Sequence, residues 1–312
     1  METEKVSSKL DEKIMLKIYD TIRYVNPIEK CSYKESQNNS NSNDSLCFSV
    51  WEKNAVCENC ISMRAFRENK VIMKLEYSNK RLYMVTAVPV QDELNTNLIA
   101  ELIRDVTEEH LIASVDLLNE DIAIEKINKL NQELICDPLT KLYNRRFLDE
   151  RLQYEVAKSC SKNLPMGFIM ADIDHFKNIN DTYGHPVGDR ILIEFSELIK
   201  NMVRESDDWI VRYGGEEFLI FISGVDRETL IKKAERIRQR VENNIFCQND
   251  LQINITSSFG LYSGIANEIG DFEKSKVFIN YADKALYNSK NTGRNKVSYY
   301  SQGELVSSLS RF

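Results

Sequence analysis

Two apolar runs, at 209–213 and 218–222, are separated only by Gly-Gly-Glu-Glu, so the stretch reads WIVRYGGEEFLIFI. Adjacent glycines permit positive φ and a tight strand reversal, and they leave no side chains to block a ligand. The stretch therefore predicts a β-hairpin with Glu216 and Glu217 together at its tip. Like charges held that close repel, and something cationic would stabilise them. An isolated hairpin of this kind would be a turn with solvated acids. The flanking sequence gives it a different meaning.

From residue 137 onward strand and helix patterns alternate around this hairpin. MGFIMADI (166–173) is a buried-strand run, 188–204 and 226–244 are amphipathic, LQINITSSFGLYS (251–263) reads as a strand, 275–290 as a helix, and KVSYY (296–300) as a last strand. This order predicts an α/β sandwich of the α+β type, a central and mostly antiparallel sheet flanked by helices.

The buried strand ends on Asp172 and Asp174. Carboxylates at a strand end beside a glutamate-bearing hairpin suit a hard cation such as Mg²⁺, which takes oxygen ligands and bound phosphates. Downstream, YNSKNTGRN places Lys290 and Arg294 about a helix end, a pairing suited to phosphate. Acids for a metal, a glycine opening and cations for phosphate describe a nucleotide phosphoryl-transfer site.

Four blocks then carry a family resemblance: DPLTKLYNRR (137–146), DIDHFKNINDTYGHPVGD (172–189), YGGEEF (213–218) and ADKALYNSKNTGRN (282–295). In order and spacing they resemble the GGDEF diguanylate cyclases, with a nucleotide-cyclase, palm-like catalytic domain over 137–312. The resemblance implies condensation of two GTP into cyclic di-GMP with loss of two pyrophosphates, across a homodimer. It implies Mg²⁺ or Mn²⁺ on Asp172, the Ile173 carbonyl, Glu216 and Glu217, with Glu216 also assisting deprotonation of the attacking 3′-hydroxyl. Asn180 and Asp189 would read the guanine edge, with His185 lining the same pocket. The backbone at Phe176 and Lys177, with Lys290 and Arg294, would hold the β- and γ-phosphates, and the Lys177 side chain would offset charge on the departing pyrophosphate. Two other readings stay open: a catalytically inactive domain that binds GTP or cyclic di-GMP, and a related cyclase with relaxed base choice.

Several neighbours have plainer readings. Asp174 is expected to cap the following helix, Phe176 to pack in a core, and Arg212 to pair with a surface acid. Asp137, Arg145 and Arg146 are expected to lock the preceding linker to the domain. One departure from the family concerns its inhibitory product site, an Arg-x-x-Asp whose Asp stands four residues before the Arg preceding YGG. Arg204 and Asp207 have the right mutual spacing but the wrong distance to Arg212, whereas Asp208 has that distance but Glu205 as its partner.

Residues 1–109 differ in character. VIMKLEY and RLYMVTAVPV, joined at SNK, predict adjacent antiparallel strands, and ESQNNSNSND (35–44) is too polar for a core. The late strands followed by LIRDVTEEH resemble the end of a PAS sensor, so a smaller PAS-like α+β domain is expected over 1–109. Residues 110–136 would be a coiled-coil signalling helix. Leu111, Val115, Leu118 and Ile122 carry coiled-coil spacing, and Ala123, Ile127, Leu130 and Leu134 repeat it one residue out of phase. A lone amphipathic helix packed on its own domain is the alternative.

Cys57 and Cys60 form a C-x-x-C pair, and Cys31 and Cys47 could complete four thiolates around Zn²⁺ or an iron–sulfur cluster. A redox dithiol and four unrelated thiols are the other readings. No histidine precedes His110, which disfavours a histidine-ligated haem in this region. Seven scattered cysteines do not make a secreted disulfide framework. With no long apolar run and no signal peptide, a cytoplasmic chain without membrane partners is expected. A formal charge of −7 argues against nucleic acid as a partner.

Overall fold

The structure is a computed structural model, and it describes residues 15–33, 45–91, 97–108, 120–203, 207–248, 251–266, 275–301 and 304–307. Leu111, Val115, Leu118, Arg204 and the polar stretch 35–44 lie outside the described residues. The chain divides into two compact units, Met1–Leu134 and Ile135–Phe312. Among the described residues, no helix is long and apolar enough to cross a membrane.

The first unit contains β1 (Thr21–Asn26), β2 (Cys31–Tyr33), β3 (Ser45–Leu46), α1 (Ile61–Glu68), β4 (Ile72–Ser78), β5 (Arg81–Gln91), β6 (Asn97–Asp105) and most of α2 (Glu120–Ile135). Its strands form one antiparallel sheet in the order β3-β2-β1-β6-β5-β4. The β4–β5 hairpin turns through Asn79 and Lys80, both at positive φ, where the sequence predicts a reversal. Ile61 and Ala65, one helical turn apart, bury one face of α1 with Val85, Ala87, Ile99 and Ile103 of the sheet. Polar groups are also drawn inside: Arg23 donates to Glu101 at 2.7 Å, and Ser62 donates to the same carboxylate.

Helix α2 departs from a simple seam. Ile127 is buried with Leu82 and Val106 of its own unit, while Ile122, Leu130 and Leu134 are exposed. At 100° per residue, Ile127, Leu130 and Leu134 fall within roughly 60° of one another and Ile122 lies roughly 80–140° from them, so the exposed residues form no side separate from Ile127. Ile127 therefore belongs to the domain core, as in the alternative of a helix packed on its own domain.

The second unit contains α3 (Arg145–Lys162), β7 (Met166–Ile173), α4 (Phe176–Tyr183), α5 (His185–Lys200), β8 (Trp209–Gly214), β9 (Glu217–Ser223), α6 (Arg227–Glu242), β10 (Phe246–Gln248), β11 (Leu251–Ile253), β12 (Ser257–Gly264), α7 (Val277–Asn291), β13 (Val297–Ser301) and β14 (Glu304–Ser307). Its main sheet runs β14-β13-β12-β7-β9-β8. Among its described strands, only β12 and β13 pair in parallel. This is the mixed α+β architecture that the strand–helix alternation predicts. The single strand expected over 251–263 is instead two, because residues 254–256 leave the ladder between β11 and β12.

The alternation of side chains along β7 explains the layers. Ile169, Ala171 and Ile173 enter one core with Ile191, Leu192 and Phe195 of α5 and Leu230, Ala234 and Ile237 of α6. Met166, Phe168 and Met170 enter the opposite core with Phe147, Leu148 and Leu152 of α3 and Ile279, Ala282 and Leu286 of α7. Period-two strands thus meet period-3.6 helices on both faces. Each fully buried Phe or Leu contributes roughly 1.5–3 kcal/mol, and the strands β7 and β9 sit at the centre of that packing. Their ends are consequently rigid, and the candidate site lies at one of them.

Candidate active site

Three elements converge where β7 ends. Asp172 pairs in register with Glu217 of β9 on one side and Ser258 of β12 on the other. The hairpin tip is Gly215 and Glu216, with Gly215 at φ +45°, a conformation a side chain would strain. A backbone bond from Ile173 N–H to the Glu216 carbonyl, 3.4 Å, ties this tip to the end of β7. Asp172, Ile173, Glu216 and Glu217 are thereby brought to one edge, with Asp172 buried and the two glutamates half-buried.

Arg212 braces the turn from behind. Its Nε donates to the Gly215 carbonyl at 2.9 Å, and one terminal nitrogen lies 3.1 Å and 3.2 Å from the two carboxylate oxygens of Asp137. Asp137 also accepts from the Thr140 amide and hydroxyl, both at 2.8 Å. These bonds hold the Asp137 carboxyl below its usual range, against a burial effect that alone would raise it. The pairing expected of Arg212 therefore joins the DPLT block to the glutamate turn. Asn144 accepts from Arg146 and Phe147 backbone N–H groups and starts α3, while Arg145 stacks over Tyr213 at 5.0 Å.

Lys290, in the last turn of α7, reaches Asp172 at 2.6 Å. Burial pushes the Asp172 carboxyl up, the ion pair with Lys290 pulls it down, and the charges of Glu216 and Glu217 raise it again, to about 6. Lys290 and the acidic edge are thus direct neighbours. Arg294 lies four residues on, exposed, at φ +57° between Gly293 and Asn295, which are also at positive φ.

Asp174 is the residue that sequence reasoning misread. Its side chain makes no cap for α4; the cap position is His175, which makes no side-chain bond. Instead its buried carboxylate accepts from Thr256 Oγ1 at 2.7 Å, Ser258 Oγ at 2.7 Å and the Asn295 backbone N–H at 2.9 Å. Asn295 is further held by Arg238 at 2.8 Å and Glu242 at 2.7 Å. Asp174 thus fastens the turn that carries Arg294 to the end of β7. A signal did exist: a second acid two residues after Asp172 in a buried strand needs partners.

The remaining predicted residues gather at the α4–α5 corner. Gly184 joins the two helices at φ +85°, His185 opens α5, and Asn180 of α4 faces Gly188, where a Cβ would strike the Asn180 side chain. Asp189 follows Gly188 and is exposed. Phe176 has the plainer fate expected of it, a buried ring in the core, while its backbone and that of Lys177 form the first turn of α4. Backbone N–H groups at such a turn lack helical partners and favour anions.

The candidate inhibitory pair lies partly outside the described residues. Asp207 pairs with Lys158 of α3 at 3.0 Å, and Asp208 accepts from the Ser223 N–H at 3.0 Å. Arg204 falls outside the described residues.

The expected zinc or iron–sulfur site is also corrected. Among the described residues, no three His, Cys, Asp or Glu side chains are gathered to hold a metal. Ligation needs thiolates, yet burial pushes the Cys47 thiol up to about 12 and raises that of Cys57. Cys60 receives a bond from Lys30 at 3.6 Å, and Cys31 lies 3.0 Å from the Tyr33 hydroxyl.

Comparison with known proteins agrees with the geometry. A family model described as "Diguanylate cyclase, GGDEF domain" matches residues 134–296. Diguanylate cyclase A of Treponema denticola is 41% identical over 145 residues, covering 46% of this chain and 38% of the relative. Diguanylate cyclase DosC of Escherichia coli K12 is 39% identical over 169 residues, covering 54% of this chain and 35% of the relative. The chain therefore spans little more than a third of these relatives' length. A crystal structure of the coiled coil and GGDEF domain of DgcB from Caulobacter crescentus, in complex with c-di-GMP, superposes with a TM-score of 0.53. It is 26% identical and covers 62% of this chain and 99% of that one. With the glutamate turn, the acidic strand end and the helix end that carries Lys290 all inside the matched region, this chain belongs to the GGDEF diguanylate cyclase family.

Proposed function

We propose that the second unit condenses two GTP molecules into cyclic di-GMP with release of two pyrophosphates. The observation that carries the reading is the single edge shared by Asp172, Glu216 and Glu217, with Lys290 2.6 Å from Asp172. Asp172, Glu216 and Glu217 offer carboxylate oxygens of the hard kind, and the two glutamate charges raise the Asp172 carboxyl. Among the described residues the three are not already gathered into a metal cluster, so the cation itself would draw them together. Asp172, Glu216, Glu217 and the Ile173 carbonyl would hold Mg²⁺ or Mn²⁺, and the ion would neutralise triphosphate charge and polarise the α-phosphate.

The chain's own groups do the rest. Lys290, Arg294, the first turn of α4 and the Lys177 side chain hold the β- and γ-phosphates and offset charge on the leaving pyrophosphate. Asn180 offers an amide to guanine O6, Asp189 accepts from N1–H and N2–H, and His185 lines the same corner. Glu216 takes the proton of the incoming 3′-hydroxyl as it attacks the α-phosphate. One unit holds one GTP, so ring closure needs two units face to face. A homodimer seated through the exposed apolar residues of α2 (Ile122, Leu130, Leu134) would supply that arrangement.

We assign residues 1–109 a PAS-like sensory role, 110–136 a signalling helix and 137–312 the catalytic domain. What supports the sensory role is the antiparallel β4–β5–β6 sheet that runs through the LIRD segment, followed by a helix. Purified chain with Mg²⁺ and GTP, analysed for cyclic di-GMP and pyrophosphate, tests the reading. Two pyrophosphates per cyclic product are expected. GTP or cyclic di-GMP bound without turnover would replace it with the binding-module reading.

A further inference from the structure

We propose that Cys57 and Cys60 form a peroxide-responsive dithiol whose oxidation is transmitted to helix α2 through Asn59. Cys60 occupies the N-cap of α1, where the helix dipole favours negative charge, and its sulfur receives a bond from the Lys30 ammonium at 3.6 Å. Lys30 is itself fixed: it is buried, held at φ +60°, bonded through its N–H to the Asn26 carbonyl at 2.9 Å, and accepts at its carbonyl from Cys47 N–H at 2.8 Å. A helix N-terminus and an adjacent ammonium are the two features that make a cysteine nucleophilic.

Cys57 differs from its partner. Burial raises its proton affinity, the Lys74 ammonium offsets this in part, and the charge of Cys60 adds to it. The pair is thus asymmetric: Cys60 stands at the helix N-terminus beside the Lys30 ammonium and is placed to react first, and Cys57, whose thiol burial raises, is placed to resolve it. Both are only half-buried, so a molecule the size of hydrogen peroxide can reach them.

The chemistry balances with peroxide as oxidant. The Cys60 thiolate attacks one peroxide oxygen, an S–O bond forms, the O–O bond breaks, and the departing hydroxide takes a proton to become water. Cys57 then attacks the Cys60 sulfenic acid, the S–S bond forms, and a second water leaves. Two thiols and one peroxide become one disulfide and two waters.

Transmission follows from what lies between the cysteines. Asn59 is 6% exposed, its side-chain Oδ1 accepts from Arg64, and its side-chain Nδ2 donates to Asn131 Oδ1 at 2.8 Å. Asn131 belongs to α2, within the first unit. Closing a ring over residues 57–60 constrains the backbone on both sides of Asn59, and its side-chain bond to Asn131 is the link by which that constraint would reach α2.

The test uses the full chain and needs no cyclase activity. Reduced protein is first analysed for metal, then treated with hydrogen peroxide and read by peptide mass and amide hydrogen exchange. A Cys57–Cys60 disulfide is expected, with faster exchange across residues 120–135 and reversal by a small dithiol. Cys57→Ser should stop at a sulfenic acid on Cys60, trapped by dimedone, and Cys60→Ser should abolish the reaction. Asn131→Ala should still form the disulfide while its helix exchange no longer responds to peroxide. Stoichiometric zinc or iron in the reduced protein, first oxidation at Cys31 or Cys47, or unchanged exchange across α2 in the oxidised wild-type chain would each overturn the proposal.

Discussion

Replacing Asp174 by alanine should cost both stability and phosphate affinity, in amounts that the structure sets. The side chain makes three charge-assisted hydrogen bonds, to Thr256, Ser258 and the Asn295 N–H, in a buried setting. Bonds to charged groups contribute about 1.5–3 kcal/mol each, but three that share one carboxylate do not add fully. The two hydroxyls can rotate toward other acceptors, whereas the Asn295 amide cannot. A loss of roughly 3–4 kcal/mol is expected, which for a unit of this size lowers Tm by roughly 6–16 °C. Asp174→Asn should lose less, about 1–2 kcal/mol, because its oxygen can keep Thr256 and Asn295 while Ser258 turns to accept. Since Asn295 anchors the turn carrying Arg294, KM for GTP should rise by about tenfold in the alanine variant, with a smaller change in kcat. Thermal unfolding and initial rates on one preparation give both numbers. A Tm within about 2 °C of wild type together with an unchanged KM would refute the anchoring role.

Further expectations concern pH, base choice and assembly. The Asp137 carboxyl sits below its usual range when folded, so it contributes stability above its unfolded pKa, near 3.8, and this is lost as pH falls through the folded value. Urea unfolding at stepped pH should show a steeper acid loss for wild type than for Asp137→Asn; parallel curves would remove the pairing with Arg212 from the account. Asp189→Ala should narrow the preference for GTP over ATP by about tenfold or more, measured by direct binding of both nucleotides, and an unchanged ratio counts against base reading. Ile122→Glu with Leu130→Glu places charges at exposed positions of α2 and spares buried Ile127, so sedimentation should shift to monomer and product formation fall while GTP still binds. A monomeric variant with full specific activity at low concentration would show that these residues do not organise catalysis.

The sheet and the acidic edge could be read from sequence because their causes are local. Period-two apolar residues fix which face of β7 each side chain enters, and Gly215 announces the turn that presents Glu216. The parts that escaped depend on distant partners. Asp174 finds Thr256, Ser258 and Asn295, which stand 82, 84 and 121 residues away, so a helix cap looked equally plausible from its neighbours alone. Helix α2 carries Ile127, Leu130 and Leu134 close together round its axis, and spacing could not tell that its own domain would cover Ile127 alone of the three. The four early cysteines invited a metal because spacing is blind to burial, which raises the thiols of Cys47 and Cys57, and to local partners such as the Lys30 ammonium beside Cys60.

The central claim is that the carboxylate edge at the end of β7 and the tip of the hairpin performs the chemistry. Glu216→Gln tests it most directly, since the change keeps shape, removes one charge from that edge and leaves the base and phosphate contacts in place. Cyclic di-GMP formation and GTP binding should be measured on wild type and variant in the same buffer with Mg²⁺. The account predicts product from wild type, a loss of about a hundredfold or more in the variant, and GTP retained by both. Near-wild-type product formation by the variant would contradict it.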